Sequence, residues 1–331
     1  MNHILLLGAG FSRNWGGFLA TEVFDYLLSI PKLADDPYLR ETLWRCGDFE
    51  SALAAVRTDA ARDAQRHPGR VGLFHEALEK MFAEMNNALW LREFEFQDDQ
   101  QRLTRSGPHL VRAFLNKFDA IFTLNQDLLL EHAYLDPDVY PTGNVDGAEL
   151  PGMSFRNIDG TSRWAKGTWE PKQNQTDFVL TDGCQPYFKL HGSSNWTDRF
   201  GGPMLIMGGN KTSDLELHPI LCWYREQFDT FLNQPNTRLM VIGYGFADHH
   251  INAALGRAIE ASNLRIFVID PLGSGVVQKF LNVPSGMAGS KLSDFGLLFQ
   301  RALIGASRRE LSATFSYDRV EFAKVGRFFN L

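Results

Sequence analysis

Ile4-Leu5-Leu6-Leu7-Gly8-Ala9-Gly10-Phe11-Ser12 takes an apolar run straight into a glycine turn. A short continuous apolar run closed by glycines is the pattern of a strand buried on both faces of a parallel sheet. The pattern recurs at Ala120-Ile121-Phe122-Thr123, Tyr187-Phe188-Lys189-Leu190, Leu239-Met240-Val241-Ile242 and Arg265-Ile266-Phe267-Val268-Ile269. Each run ends in a polar or glycine-rich turn, and several lead on into helical spacing. After the first run a helix is expected from about Gly17 to Leu28. Strand, turn and helix in alternation predict an α/β fold: a Rossmann-like, doubly wound, mainly parallel sheet with ligands at the carboxyl ends of its strands.

Between about Pro31 and Asn116 the sequence turns helix-rich, with expected helices at Phe49 to Ala64 and Val71 to Phe94. Leu73, Phe74, Ala77, Leu78, Met81 and Phe82 keep helical spacing and predict one buried stripe. Asp48 is a candidate N-cap, since its carboxylate can accept from the first-turn amides. The expected organisation is a discontinuous nucleotide-binding domain over 1–30 and 117–331, with a helical insertion over 31–116. Tyr140 to Gln185 is rich in Gly, Pro, Asn, Asp and Thr, and so long a connection in a compact domain suggests a lid or contact surface. Ser290 to Leu331 mixes helical and strand-like pieces without a clear order.

Composition narrows the functional classes. At 331 residues with 44% hydrophobic and 22% charged, the chain has an ordinary globular balance and enough length for one large α/β domain plus a module. A net charge of −6 provides no basic field to collect polyanions, so no direct nucleic-acid binding is expected. No apolar run reaches the roughly 18 residues that span a bilayer, and Met1-Asn2-His3 enters the first strand without a basic leader. The expectation is a cytoplasmic protein with no membrane partner. Cys46, Cys184 and Cys222 are odd in number and far apart, which argues for reduced thiols rather than a disulfide framework or zinc knuckle.

Three motifs carry candidate chemistry. In the turn Gly8-Ala9-Gly10-Phe11-Ser12, small residues let backbone amides approach phosphate oxygens, with Gly16 and Gly17 opening the next helix. The Gly-x-Gly-x-x-Gly spacing fails at Arg13, so a tight turn without ligand is the bland alternative. Thr123-Leu124-Asn125-Gln126-Asp127 follows a buried strand, and helix capping by Asn125 or Asp127 competes there with a site role. Lys189-Leu190-His191-Gly192 puts an imidazole at a strand end beside glycine, the best context for a base among the nine histidines. Asp248-His249-His250 invites a metal reading, but adjacent helical histidines point about 100° apart. An Asp248 N-cap with exposed histidines, and no metal, is expected. Trp164, Trp169, Trp196 and Trp223 read mostly as packing residues.

The ordered set Gly8 to Ser12, Thr123 to Asp127, Lys189 to Gly192 and Ile242-Gly243-Tyr244-Gly245-Phe246-Ala247-Asp248 resembles the sirtuin superfamily, particularly its bacterial branch associated with antiphage defence. The likeness covers about half the chain, in pieces. It implies that Gly8, Ala9, Gly10, Phe11 and Ser12 bind the NAD pyrophosphate, that Asn125 and Asp127 line the nicotinamide and ribose pocket, and that His191 is the general base. Gly243 and Tyr244 then meet the nucleotide, and Asp270 contacts the adenosine ribose, where a carboxylate can accept from vicinal hydroxyls. Two departures set this chain apart from the deacylating members: it has no Cys-x-x-Cys pair for a structural zinc, and Arg13-Asn14-Trp15-Gly16-Gly17 stands where they carry Pro-x-Phe-Arg. Sirtuin-like NAD hydrolases of defence systems commonly lack the zinc module, and their Gly-Tyr-x-Phe-x-Asp motif is similar to Gly243 to Asp248. The resemblance therefore implies cleavage of NAD, as substrate, to nicotinamide and ADP-ribose. Such an enzyme would be gated by homo-oligomerisation or by a complex with a separately encoded sensor. An NAD-dependent protein deacylase, or a non-catalytic sensor of NAD or an ADP-ribose derivative, are the alternatives.

Overall fold

The computed structural model describes residues 2–63, 69–90, 92, 94, 96, 107–136, 146–157, 163–208, 211–281 and 289–330. Its strands are β1 (Asn2–Leu7), β2 (Ala120–Thr123), β3 (Gly147–Glu149), β4 (Met153–Arg156), β5 (Thr168–Pro171), β6 (Cys184–Lys189), β7 (Gly192–Thr197), β8 (Pro203–Leu205), β9 (Thr237–Ile242), β10 (Arg265–Ile269) and β11 (Leu303–Ser307). Seven of them form the central sheet, in the order β11-β10-β9-β1-β2-β6-β3, and every registered pair is parallel. The expected Rossmann-like, doubly wound α/β architecture is present. Ile4 to Leu7, Ile121, Phe122, Leu239 to Val241, Ile266 and Val268 are fully buried, as continuous apolar strands covered on both faces must be.

β1 lies at the centre, with β2 on one side and β9 on the other. Leu7 is in register with Thr123 and with Ile242, so these strands stop at one level. The turns that follow them, at Gly8, Leu124 and Gly243, therefore share one edge at the topological switch point, where open α/β sheets bind ligands.

The helix expected at Gly17 to Leu28 is present from Ala20, and a short helix that was not expected precedes it. Ala9–Arg13 follows β1 directly, and Ala20–Leu28 begins after the two glycines. Gly16 has φ +100°, and a Cβ on Gly17 would stand 2.6 Å from that of Ser12. The pair is thus a tight connection between helices and does not open the second.

From 31 to 116 the described residues hold helices and no strand: Pro31–Ala34, Pro37–Cys46, Phe49–Arg62, Arg70–Trp90 and Gly107–Leu115. Asp48 accepts from the Ser51 amide at 2.7 Å, the predicted cap. Phe74, Ala77, Leu78, Met81 and Phe82 are buried in one stripe that continues to Met85 and Leu89, with Leu73 at its partly buried margin. The helices end at Arg62 and Trp90, short of the expected Ala64 and Phe94. Residue 64 lies outside the described residues, and Phe94 is buried without being helical, packed edge-on to Phe11.

The excursion expected from Tyr140 to Gln185 supplies β3 to the central sheet and β4 and β5 to a second sheet, of order β4-β5-β7-β8; its residues 140–145 and 158–162 lie outside the described residues. The C-terminal stretch that had no clear reading forms the helix Gly289–Ala302, the edge strand β11 and the helices Leu311–Ser316 and Arg319–Gly326. None of the described helices is long and apolar enough to cross a membrane.

Lys189 ends β6 fully buried, and its ammonium meets Glu131 at 2.7 Å, also fully buried, while donating to the Asp127 carbonyl. This pair ties the strand before His191 to the short helix Leu129–Ala133 after Asp127. Removing one buried partner strands the other charge, at about 3–5 kcal/mol. Lys189→Met should lower unfolding free energy by that order in urea titrations, and Lys189→Met with Glu131→Leu should recover much of it. A double variant as weak as the single one would show that the bond is not what the site's frame depends on.

Candidate functional site

A cleft of about 1250 Å³ opens along the carboxyl edge of the sheet. Gly8, Ala9, Gly10, Asn125, Asp127, His191, Gly243, Tyr244 and Asp270 line it, joined by the unforeseen Gln126, Lys211, His250 and Arg308. Phe49, Glu50, Met81, Phe82 and Met85 reach it from the helical segment. Phe11 and Ser12 lie behind the wall: Phe11 is buried against Trp15 and Phe94, and Ser12 is buried beneath Asn125. No tryptophan among the described residues lines the cleft; Trp164 and Trp169 pack edge to face at 4.9 Å, and Trp196 is buried beside Tyr224.

The glycines do more than leave room for a ligand. The Gly8 amide donates to the Ile242 carbonyl at 3.0 Å, and the Gly10 amide to that of Gly243 at 2.9 Å. A Cβ on Gly8 would stand 2.6 Å from the Gly243 oxygen, and one on Gly243, at φ +65°, 2.4 Å from the Gly10 backbone. Two loops thus pack backbone to backbone, and the Gly8 and Gly10 amides are already committed to that seam.

Asn125 closes the third side. Its Nδ2 donates to the Gly8 carbonyl and to Ser12 Oγ, both at 3.0 Å, which leaves Oδ1 as its acceptor. Asp127 caps as well as lines: Oδ1 accepts from the Leu129 amide at 3.0 Å. Gln126, given no role in the sequence, donates to the carbonyls of His191 and Ile206 at 2.8 and 2.9 Å and fixes the histidine turn. Gly192 has φ +75°, and a Cβ there would stand 2.0 Å from the Met204 carbonyl, so glycine after His191 is a steric requirement.

Tyr244 is 4% exposed, and its hydroxyl accepts from the Asp248 amide and lies within hydrogen-bond reach of the Asp248 carbonyl and Asn252. It staples the loop to the helix His249–Ser262. Asp270 Oδ1 accepts from the Leu272 amide at 2.8 Å, so one carboxylate oxygen shapes its own turn.

The structure corrects the reading of Asp248-His249-His250. Asp248 occupies the N-cap position, but its side chain makes no cap bond; it pairs with Lys211 at 2.7 Å, and Lys211 also pairs with Glu50 at 2.9 Å. His249 is exposed, whereas His250 is half-buried, its Nε2 3.1 Å from Nε2 of His191. His191, Asp248 and His250 present metal-capable atoms within 4.8 Å of one another. The expectation compared neighbours on one helix; the partner of His250 comes from a different strand end, which helical geometry cannot reveal. Cys46, Cys184 and Cys222 are free and partly buried.

Residues 119–282 match the SIR2-like domain family. The matched segment is just under half of the chain and contains Asn125, Asp127, His191, Gly243, Tyr244 and Asp270 but not the first glycine turn. No curated protein matches significantly. Among solved structures, a mutant Sir2 homologue in complex with ADP-ribose is similar at 15% identity, covering 91% of this chain and 92% of that one with a TM-score of 0.36.

Electrostatics in the site are dominated by burial. Burial pushes the His191 imidazole from its ordinary 6.5 down to about 3, against the pull of Asp248. His250 is lowered for the same first reason. Burial would raise the Asp248 carboxyl, but His191 and Lys211 outweigh it and hold it below its ordinary value. Burial would lower Lys211, but Asp248 and Glu50 keep its ammonium above the usual lysine value.

A histidine neutral in the folded state and free to protonate when unfolded adds stability above its unfolded pKa near 6.5, and that stability is lost as pH falls toward the folded value. His191 should therefore make the fold weaker at about pH 5.5 than at about 7.5 by on the order of 1 kcal/mol. Urea titrations at both values should show a smaller loss for His191→Gln than for wild type. An equal loss in the two proteins would mean that His191 titrates normally.

Proposed function

We propose that the protein is an NAD hydrolase that breaks the nicotinamide–ribose bond, consuming water and releasing nicotinamide, ADP-ribose and a proton. The observation that carries this reading is the convergence of Asn125, Asp127 and His191 on one cleft bounded by both glycine loops. NAD lies along that edge as substrate, its pyrophosphate near the turn at Gly8 to Ser12 and Gly243, and its adenosine ribose toward Asp270. Tyr244 acts by shaping this wall.

Loss of nicotinamide leaves an oxocarbenium-like ribose, whose charge a fixed carboxylate and amide dipole can stabilise. Asp127 orders the ribose and the nicotinamide pocket. Asn125, with Nδ2 already committed, turns Oδ1 toward the attacking water or a ribose hydroxyl and orients it by accepting its proton in a hydrogen bond. His191, neutral at physiological pH, accepts the proton. No metal takes part in this step.

The motif combination, the absence of any Cys-x-x-Cys and the large cleft favour a gated effector of abortive antiphage defence over a protein deacylase. An unrestrained hydrolase of NAD would kill its host, so we further propose control by homo-oligomerisation or by a separate sensor protein.

Purified protein incubated with NAD should yield nicotinamide and ADP-ribose by chromatography. His191→Ala should slow turnover by roughly 10²–10⁴-fold and Asn125→Ala by roughly 10²–10³-fold. Undiminished turnover in both variants would sink the assignment of roles. O-acyl-ADP-ribose from an acylated peptide would instead reveal a deacylase, and calorimetric binding of NAD without turnover a sensor.

If assembly gates the enzyme, specific activity should rise with protein concentration, or on adding the sensor, in step with particle mass by light scattering. Full specific activity from a monomer at every dilution would contradict gating by assembly.

A further inference from the structure

The contact between His191 and His250 has no part in the hydrolysis proposed above, and it engages one ring nitrogen of His191. Both nitrogens are Nε2, 3.1 Å apart. Two nitrogens bound to one tetrahedral ion at about 2.0–2.1 Å stand roughly 3.3 Å apart, so the imidazoles are already set at a bite close to that of a shared metal. Asp248 brings its carboxylate to the same point, with all three donors within 4.8 Å. Modest side-chain closure completes the set.

We propose that His191, His250 and Asp248 form a three-ligand site for a divalent cation of the zinc class, and that its occupation silences the enzyme. The second half rests on the hydrolase reading; the first does not.

The donor chemistry selects the ion. Two imidazoles and one carboxylate suit zinc and its transition-metal neighbours, while magnesium and calcium demand shells of oxygen. Without metal, one Nε2 must carry a proton to bridge the pair; with metal, both protons move to Nδ1 and both lone pairs face the ion. Lys211 is the opposing charge, but it binds only Oδ1 of Asp248, and Glu50 at 2.9 Å offsets part of it. A carboxylate has a second oxygen to give.

The ligands stand on two packed elements, the turn after β6 and the first turn of the helix His249–Ser262. Three protein ligands leave a fourth position for water, the pattern of an exchangeable zinc site. Once Nε2 of His191 is bound to the ion, its lone pair no longer accepts a proton, and the base is withdrawn without any change of fold.

The test is titration of the full chain, stripped with a chelator, with Co²⁺ as visible probe and Zn²⁺ as competitor, alongside NAD turnover with and without Zn²⁺. One equivalent of Co²⁺ should give the absorption of a tetrahedral nitrogen–oxygen site, displaced by Zn²⁺. His250→Ala and Asp248→Asn should each weaken binding by more than the roughly 10–100-fold that loss of an outer-sphere partner costs. Turnover should fall as Zn²⁺ binds and return with chelator. No such band, a band unchanged in both variants, or a thiolate charge-transfer band from Cys46, Cys184 or Cys222 would overturn the site. Zinc bound as described to an enzyme that turns over NAD undiminished would overturn the silencing. Binding as described to a protein that never cleaves NAD would uphold the site and defeat the hydrolase reading with its brake.

Discussion

The seam between Gly8-Ala9-Gly10 and Gly243 is the constraint from which the rest of the site follows. Loops after β1 and β9 approach so closely that no side chain fits between them, and amide-to-carbonyl bonds of 2.9 and 3.0 Å join them. Asn125 extends the seam to β2 by donating to the Gly8 carbonyl. Two strand ends are thereby fixed relative to one another by backbone groups, which have far less freedom than side chains, and the Asn125 side chain ties in the third. A nucleotide that spans the switch point meets a surface already organised before it arrives, and little entropy is lost in shaping that surface on binding.

Against this rigid edge stands a chain of ionisable groups: His191, His250, Asp248, Lys211 and Glu50. Lys211 is shared between two carboxylates, so its charge is balanced where water is scarce. His191 is kept neutral chiefly by burial, with the Lys211 ammonium pushing the same way against Asp248. The same imidazole stands 3.1 Å from that of His250, so the proposed catalysis and its proposed inhibition meet at one side chain.

Much of the sheet was legible because continuous apolar runs have one economical solution, burial between helix layers. The five runs read from the sequence lie in β1, β2, β6, β9 and β10, the strands whose ends build the site. β11 was not legible: Leu303-Ile304-Gly305-Ala306-Ser307 is an edge strand with most of its residues only partly buried, and its pattern carries little apolar signal. The start of the helix was misplaced because Gly16 and Gly17 look like a helix opening, although the positive φ of Gly16 and the tight contact of Gly17 with Ser12 belong to a turn. Asn125, Asp127 and His191 stood out by position at strand ends. Gln126 and Lys211 did not, and His250 was read as an exposed histidine, because their contacts are with partners 37 to 80 residues away.

The helices between 31 and 116 matter to the cleft as more than an attached module. Asn86 donates to Ser194 at 2.9 Å and accepts from the Leu128 amide at 3.0 Å, bridging the turns that follow Asp127 and His191. Glu50, on the helix that Asp48 caps, supplies the second carboxylate for Lys211. Displacing that helix by even a few ångströms would leave Lys211 with Asp248 alone and draw the carboxylate more tightly to the ammonium. The carboxylate beside His250 would then be less available to any cation. The helical segment and the surroundings of His191 thus share one bonded network, through Glu50 and Lys211 on one side and Asn86 on the other.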